Sequence, residues 1–169
     1  MSIKEFTSSL SSRHRRALKW FAERTGQESP WPTPLILAGE IPTLLACRPK
    51  GIYKPKWSQY ALSVRLAVEG PYPDRERVLR KDGTWKLAYF QENKDPHSRD
   101  SEYTNKGLLK CWRDRVPIGV MQQIRRKPRV RYLILGLALV SNWKDGYFLL
   151  EGFSASGLVH DPALSRKRR

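Results

Sequence analysis

The chain predicts an α+β domain dominated by its sheet, and three observations carry that expectation. Helical spacing of apolar residues is confined to the N-terminal stretch and one short later segment. From residue 41 onward, short runs alternate apolar and polar, or are apolar throughout, at strand length. The 169 residues suit one domain, and 40% hydrophobic content with six Trp can furnish a sizeable core. The strands are numerous enough to curl into a barrel.

In chain order, residues 3–24 read as a helix, with Ile3, Phe6, Leu10, Ala17, Leu18 and Phe21 forming its apolar face. Ser11 and Ser12 cap or interrupt it before the stretch Arg13-His14-Arg15-Arg16. Pro30, Pro32 and Pro34 end this segment. Residues 60–66 and 84–90 alternate as strands do, the second following an Asp82-Gly83 turn. Residues 106–115 suit a short helix and 117–124 a strand. A hairpin of 131–140 with 147–153 turns through Trp143-Lys144-Asp145-Gly146. The expected organisation is an N-terminal helical arm with a Pro-rich linker over 1–40, a folded domain over 41–160, and a basic disordered tail over 161–169.

Charge narrows the function. With 32 Lys+Arg against 16 Asp+Glu, the formal net charge is +16. An excess of that size on so small a body implies a polyanionic partner. Nucleic acid comes first, since Lys/Arg surfaces displace counterions from phosphates; a membrane surface is the lesser choice, because no basic amphipathic helix with a clean apolar face dominates. Neither a signal peptide nor an apolar run of membrane-spanning length is evident, so a cytoplasmic, nucleoid-associated location is expected. Cys47 and Cys111 lie far apart and read as buried thiols. His14, His97 and His160 have no metal-ligand spacing, and no Gly-rich phosphate loop is present, so no metal, cofactor or small-molecule substrate is expected.

Between residues 51 and 124 an ordered set of short motifs appears. Gly51-Ile52 and the strand Tyr60-Ala61-Leu62-Ser63-Val64 precede Gly70-Pro71-Tyr72-Pro73-Asp74. Asp82-Gly83, Tyr89, Tyr103-Thr104-Asn105-Lys106-Gly107-Leu108 and Pro117-Ile118-Gly119-Val120 follow. This order resembles the SRA (SET- and RING-associated) domain, particularly the SRA-like domains fused to HNH nucleases in bacterial modification-dependent restriction enzymes. Tyr132, Trp143 and Gly146-Tyr147-Phe148 fit that family's closing hairpin. The resemblance covers about 100 residues and implies an SRA/PUA-like curved β-barrel with flanking helices. It further implies a non-catalytic module that flips 5-methylcytosine, or a related modified cytosine, out of duplex DNA. Any nuclease would then be a separate partner.

Carried over by position, Tyr72 and Tyr89 would stack the flipped base and Asp74 would accept from its exocyclic amine. Here Tyr89-Phe90-Gln91 replaces the family's Tyr-Thr-Gly. Independently, Trp85, Leu87 and Tyr89 alternate onto one face of their strand, where aromatics can line a slot for a planar ligand. The competing reading makes them core aromatics. The resemblance matches residues 53–59 and 91–102 to the loops that approach the two grooves. Trp57 or Gln59 would then enter the stack, with His97 or Arg99 opposite. Lys54, Lys56, Arg125, Arg126, Lys127 and Arg129 are the candidate contacts to the DNA backbone.

Two other functions fit parts of the sequence. Pro73-Asp74 with Glu92-Asn93-Lys94 satisfies a PD…ExK pattern, in which carboxylates hold a divalent metal for DNA cleavage. A general PUA-like nucleic-acid-binding protein needs no pocket for a modified base.

Overall fold

The computed structural model describes residues 3–36, 42–67 and 77–161. Their secondary structure is α+β, with a mixed sheet of eight strands and few helices. Helices α1 (Ile3–Thr7) and α2 (Ser12–Glu23) come first, then strands β1 (Glu28–Ser29), β2 (Ile52–Tyr53) and β3 (Ser63–Leu66). Strands β4 (Val78–Leu79) and β5 (Trp85–Phe90) precede a 3-10 turn at Pro96–Ser101 and helix α3 (Tyr103–Asp114). The chain closes with β6 (Ile118–Arg125), β7 (Arg131–Lys144) and β8 (Tyr147–Gly152). No helix among the described residues is long and apolar enough to cross a membrane.

The strands run in the order β2-β3-β6-β7-β8-β5-β4, with β1 added beside β7. Only β3 and β6 are parallel, in the register Val64↔Val120. β7 is the spine. Its first half pairs with β6 along one edge, and its second half pairs with β8 along the other. A register shift at Val120/Met121 coincides with Gly136 at φ 108°, a conformation that costs glycine little. A second shift at Val140/Asn142 bends the same strand again. The sheet therefore curls, bringing the Tyr89 hydroxyl on β5 against Gly51, next to edge strand β2. Among the described residues β2 and β4 remain the two ends of the hydrogen-bonded path.

The predicted helix over 3–24 is in fact two. The Ser11 hydroxyl accepts the His14 backbone N–H at 3.2 Å, an N-cap that starts a new helix. α2 is packed into the body of the domain rather than held out as an arm. Ala17, Leu18 and Phe21 are buried, and the Phe21 ring lies where a side chain on Gly119 of β6 would stand. Arg15, Arg16 and Lys19 line its solvent side.

The alternation at 84–90 is realised in β5, but at 60–66 only Ser63–Leu66 is strand. Trp143 belongs to β7, not to the turn. Asp145 and Gly146 make the turn alone, both at positive φ (51° and 91°), as a tight two-residue hairpin requires.

Candidate nucleic-acid interface

Helix α3 buries Thr104, Asn105, Leu108 and Cys111 and turns Tyr103, Lys106 and Lys110 outward along one stripe. Gly107 lets this helix sit close to the loop that follows β2: a Cβ there would come within 3.0 Å of the Ala61 backbone nitrogen and 3.2 Å of the Lys54 side chain. The segment ahead of β2 reaches the same face. Lys50 Nζ lies 4.5 Å above the Tyr103 ring, which is itself 53% exposed.

Two neighbouring acids are already engaged. Asp114 pairs with Arg113 at 2.8 Å and accepts the Tyr60 hydroxyl at 2.6 Å, while Asp100 pairs with Arg99 at 2.8 Å. Lys50, Lys106 and Lys110 make no salt bridge among the described residues; Lys106 is exposed, near Asp100 and one turn after Glu102, and Lys50 and Lys110 are partly exposed. An exposed aromatic ring among lysines can contact phosphates and sugars of a nucleic acid together.

The sequence points to this helix but not to its face. Starting it at 106 rather than at 103 omits Tyr103, and Lys50 joins the stripe only through tertiary packing.

The aromatic slot expected on β5 is filled. Trp85 and Tyr89 do share a face with Leu87, but that face is the core: Trp85 is 1% exposed and Tyr89 5%. A Cβ on Gly152 would fall 1.9 Å from the Trp85 ring, so the indole occupies the space a side chain would take across the pair. Neither ring is therefore open to a base, contrary to the expectation for Tyr89 and Trp85. Tyr72 and Asp74 lie outside the described residues, as do Gly70, Pro71 and Pro73.

The two expected groove loops are tied down. The Trp57 ring meets His14 edge-on at 5.6 Å, with the Arg13 guanidinium 4.6 Å above it, so it anchors its loop instead of projecting. Lys54 Nζ donates to the carbonyls of Pro55 (3.2 Å) and Ser58 (2.5 Å), which holds the loop together and turns this cation away from a backbone-contact role. Burial lowers its pKa, and Lys110 nearby adds to the effect. Lys56 and Gln59 are exposed.

In the second loop Gln91 is fully buried. It donates to the carbonyls of Asn93 and Asp95 and accepts the Trp143 indole N–H at 2.9 Å. Gln91 is thus a brace for the loop. Arg99 lies 4.7 Å above Trp143 and pairs with Asp100, which occupies it, whereas His97 is exposed on the 3-10 turn. Arg125, Arg126, Lys127 and Arg129 are exposed at the β6–β7 tip, as a backbone-contacting ridge would need.

Of the nuclease constellation, Glu92 accepts the Ile52 backbone N–H at 3.5 Å. Asn105 holds the Glu92 main chain on both sides, at 3.0 and 2.8 Å. Lys94 is exposed, and Asp74 lies outside the described residues. No cluster of three or more His, Cys, Asp or Glu able to hold a metal occurs among the described residues. Cys111 donates to the Ala61 carbonyl, and burial pushes its thiol up to about 12, so it is no nucleophile at neutral pH.

Comparison with known protein families, with curated proteins and with solved structures finds no match.

Proposed function

We propose that this chain is a non-catalytic module that binds duplex DNA through the α3 face and recognises a modified cytosine within it. The observation that carries DNA binding is the placement of Lys50, Lys106 and Lys110 on the face that exposes Tyr103, none of them in a salt bridge among the described residues, in a chain of net charge +16. The modified-base specificity rests on the ordered motifs between residues 51 and 124 and their resemblance to SRA domains. With Trp85 and Tyr89 committed to the core, Tyr72 and Asp74 are the residues of that resemblance left to meet a flipped base.

Competition binding tests both parts at one stated salt concentration, using duplexes carrying cytosine, 5-methylcytosine or 5-hydroxymethylcytosine. Lys106→Glu with Lys110→Glu should weaken all three by a similar factor and flatten the salt dependence of affinity, because phosphate contacts carry no sequence information. Tyr72→Ala and Asp74→Ala should instead erase the preference for modified DNA and leave the background affinity in place. Equal affinity of the wild type for all three duplexes would remove the modified-base reading. Insensitivity to the double charge reversal would remove the α3 face. Cleavage of modified plasmid in magnesium that is lost on Glu92→Ala would replace the binding module with the nuclease.

A further inference from the structure

A second concave surface lies between α2 and the proline-rich segment after β1. It is an open groove of about 440 Å³, with Trp20 and Arg24 on one wall and Trp31, Pro32 and Pro34 on the other. That volume falls within the roughly 300–1,000 Å³ typical of small-molecule and nucleotide-sized sites. The prolines restrict the backbone of their wall, so less ordering is needed when a ligand arrives.

Both tryptophans carry a guanidinium. Arg24 lies 4.5 Å above the Trp20 ring, and Arg48 lies 4.4 Å above Trp31. Each is positioned by other contacts. Arg24 Nη1 donates to the Trp20 carbonyl at 3.1 Å, and Trp31 rests edge-on against Tyr132 at 5.6 Å. Arg65 donates to the carbonyls of Cys47, Arg48 and Lys50, pinning the segment that carries Arg48. Among the described residues, Glu23 beside this wall is approached by Lys19 and Arg24 at 3.6 and 4.0 Å, and exposed Glu28 precedes the proline-rich wall.

The groove therefore offers the Trp20–Arg24 stack, with the Trp31 ring opposite carrying Arg48 and lying 5.7 Å from Arg65. That chemistry suits a base face joined to a phosphate, and base faces are accessible only where the strand is unpaired. Residues 48–50 also connect the two surfaces, since Arg48 caps Trp31 while Lys50 caps Tyr103.

We propose that the Trp20–Trp31 groove binds a short single-stranded DNA segment continuous with a duplex held at the α3 face. This rests on the DNA-binding reading above for the duplex, while the groove itself stands on its own geometry.

The test measures affinity by fluorescence anisotropy, at fixed salt, for a blunt duplex, the same duplex with a short oligothymidylate extension, and oligothymidylate alone. The extension should raise wild-type affinity. Trp20→Ala should abolish that gain while leaving blunt-duplex affinity unchanged, a loss of roughly five- to hundredfold for a stacked base. Arg24→Ala with Arg48→Ala, which keeps both rings, should give the same selective loss, and thermal unfolding would show that each variant is folded. Lys106→Glu with Lys110→Glu should lower blunt-duplex affinity yet preserve the factor gained from the extension. Oligothymidylate binding with no duplex binding would sink the duplex reading and leave the groove standing. The groove assignment is overturned if the extension adds nothing, if folded variants keep the gain, or if polyglutamate of matched charge competes as well as oligothymidylate.

Discussion

His14 provides the sharpest quantitative test of the packing. It is 2% exposed, with its ring edge-on to Trp57 and 6.3 Å from Tyr60, and its buried Nε2 has no hydrogen-bond partner among the described residues. Burial lowers its pKa to about 4, against about 6.5 for an exposed imidazole. Because the unfolded chain binds this proton more tightly, stability is full above about pH 6.5 and falls as pH drops toward 4. The linkage amounts to about 2 kcal/mol between pH 7.5 and pH 5, and about 3 kcal/mol over the whole window.

Urea unfolding at those two pH values reads it directly. With a slope of about 2 kcal/mol per molar, the wild-type midpoint should drop by about 1 M at pH 5. His14→Leu, which removes the titrating group and its unpartnered nitrogen, should lose far less. His97 and His160 are present in both proteins, so their contributions cancel in the difference. Asp82, bonded to Thr84 and His160, and Asp114, bonded to Arg113 and Tyr60, are held well below the usual carboxylate range. Their stabilisation disappears only below about pH 4, outside this window. Equal losses in wild type and His14→Leu would refute the assignment of His14 as a neutral, buried imidazole.

Other outcomes follow from close packing at glycines and from the buried thiol. A Cβ on Gly51 would lie 2.1 Å from the Tyr89 hydroxyl, so Gly51→Ala should cost about 1–3 kcal/mol in denaturant unfolding. Adding Tyr89→Phe should recover part of that loss in a double-mutant cycle. Gly119→Ala, which would drive a methyl to within 2.3 Å of the Phe21 ring, should destabilise by at least a similar amount and loosen α2 from the sheet by hydrogen exchange. In native protein at pH 8, iodoacetamide should label half-exposed Cys47 and spare Cys111, with both labelled after unfolding, as mass spectrometry would report.

Local patterns in the sequence make much of the fold readable. Alternation marked β5, the stretch Trp143-Lys144-Asp145-Gly146 marked the final hairpin though its turn is only the last two residues, and apolar spacing marked helix over 3–24, which includes α2, because each depends on near neighbours and on the period of its own element. The net charge of +16 is also read from the sequence alone. Which face a residue presents is a different kind of information. Trp85 and Tyr89 share a side of β5 by periodicity alone, but only the curl of the sheet onto Gly152 and Gly51 makes that side the core. Gln91 and Trp57 look like groove residues until the hydrogen bond to Trp143 and the contact with His14 fix them in place. The Lys50–Tyr103 and Arg48–Trp31 pairs join residues far apart in the chain, so no local pattern could contain them. Sequence determined most of the elements and the net charge; tertiary structure decided which aromatics stay exposed, because burial is set by long-range packing.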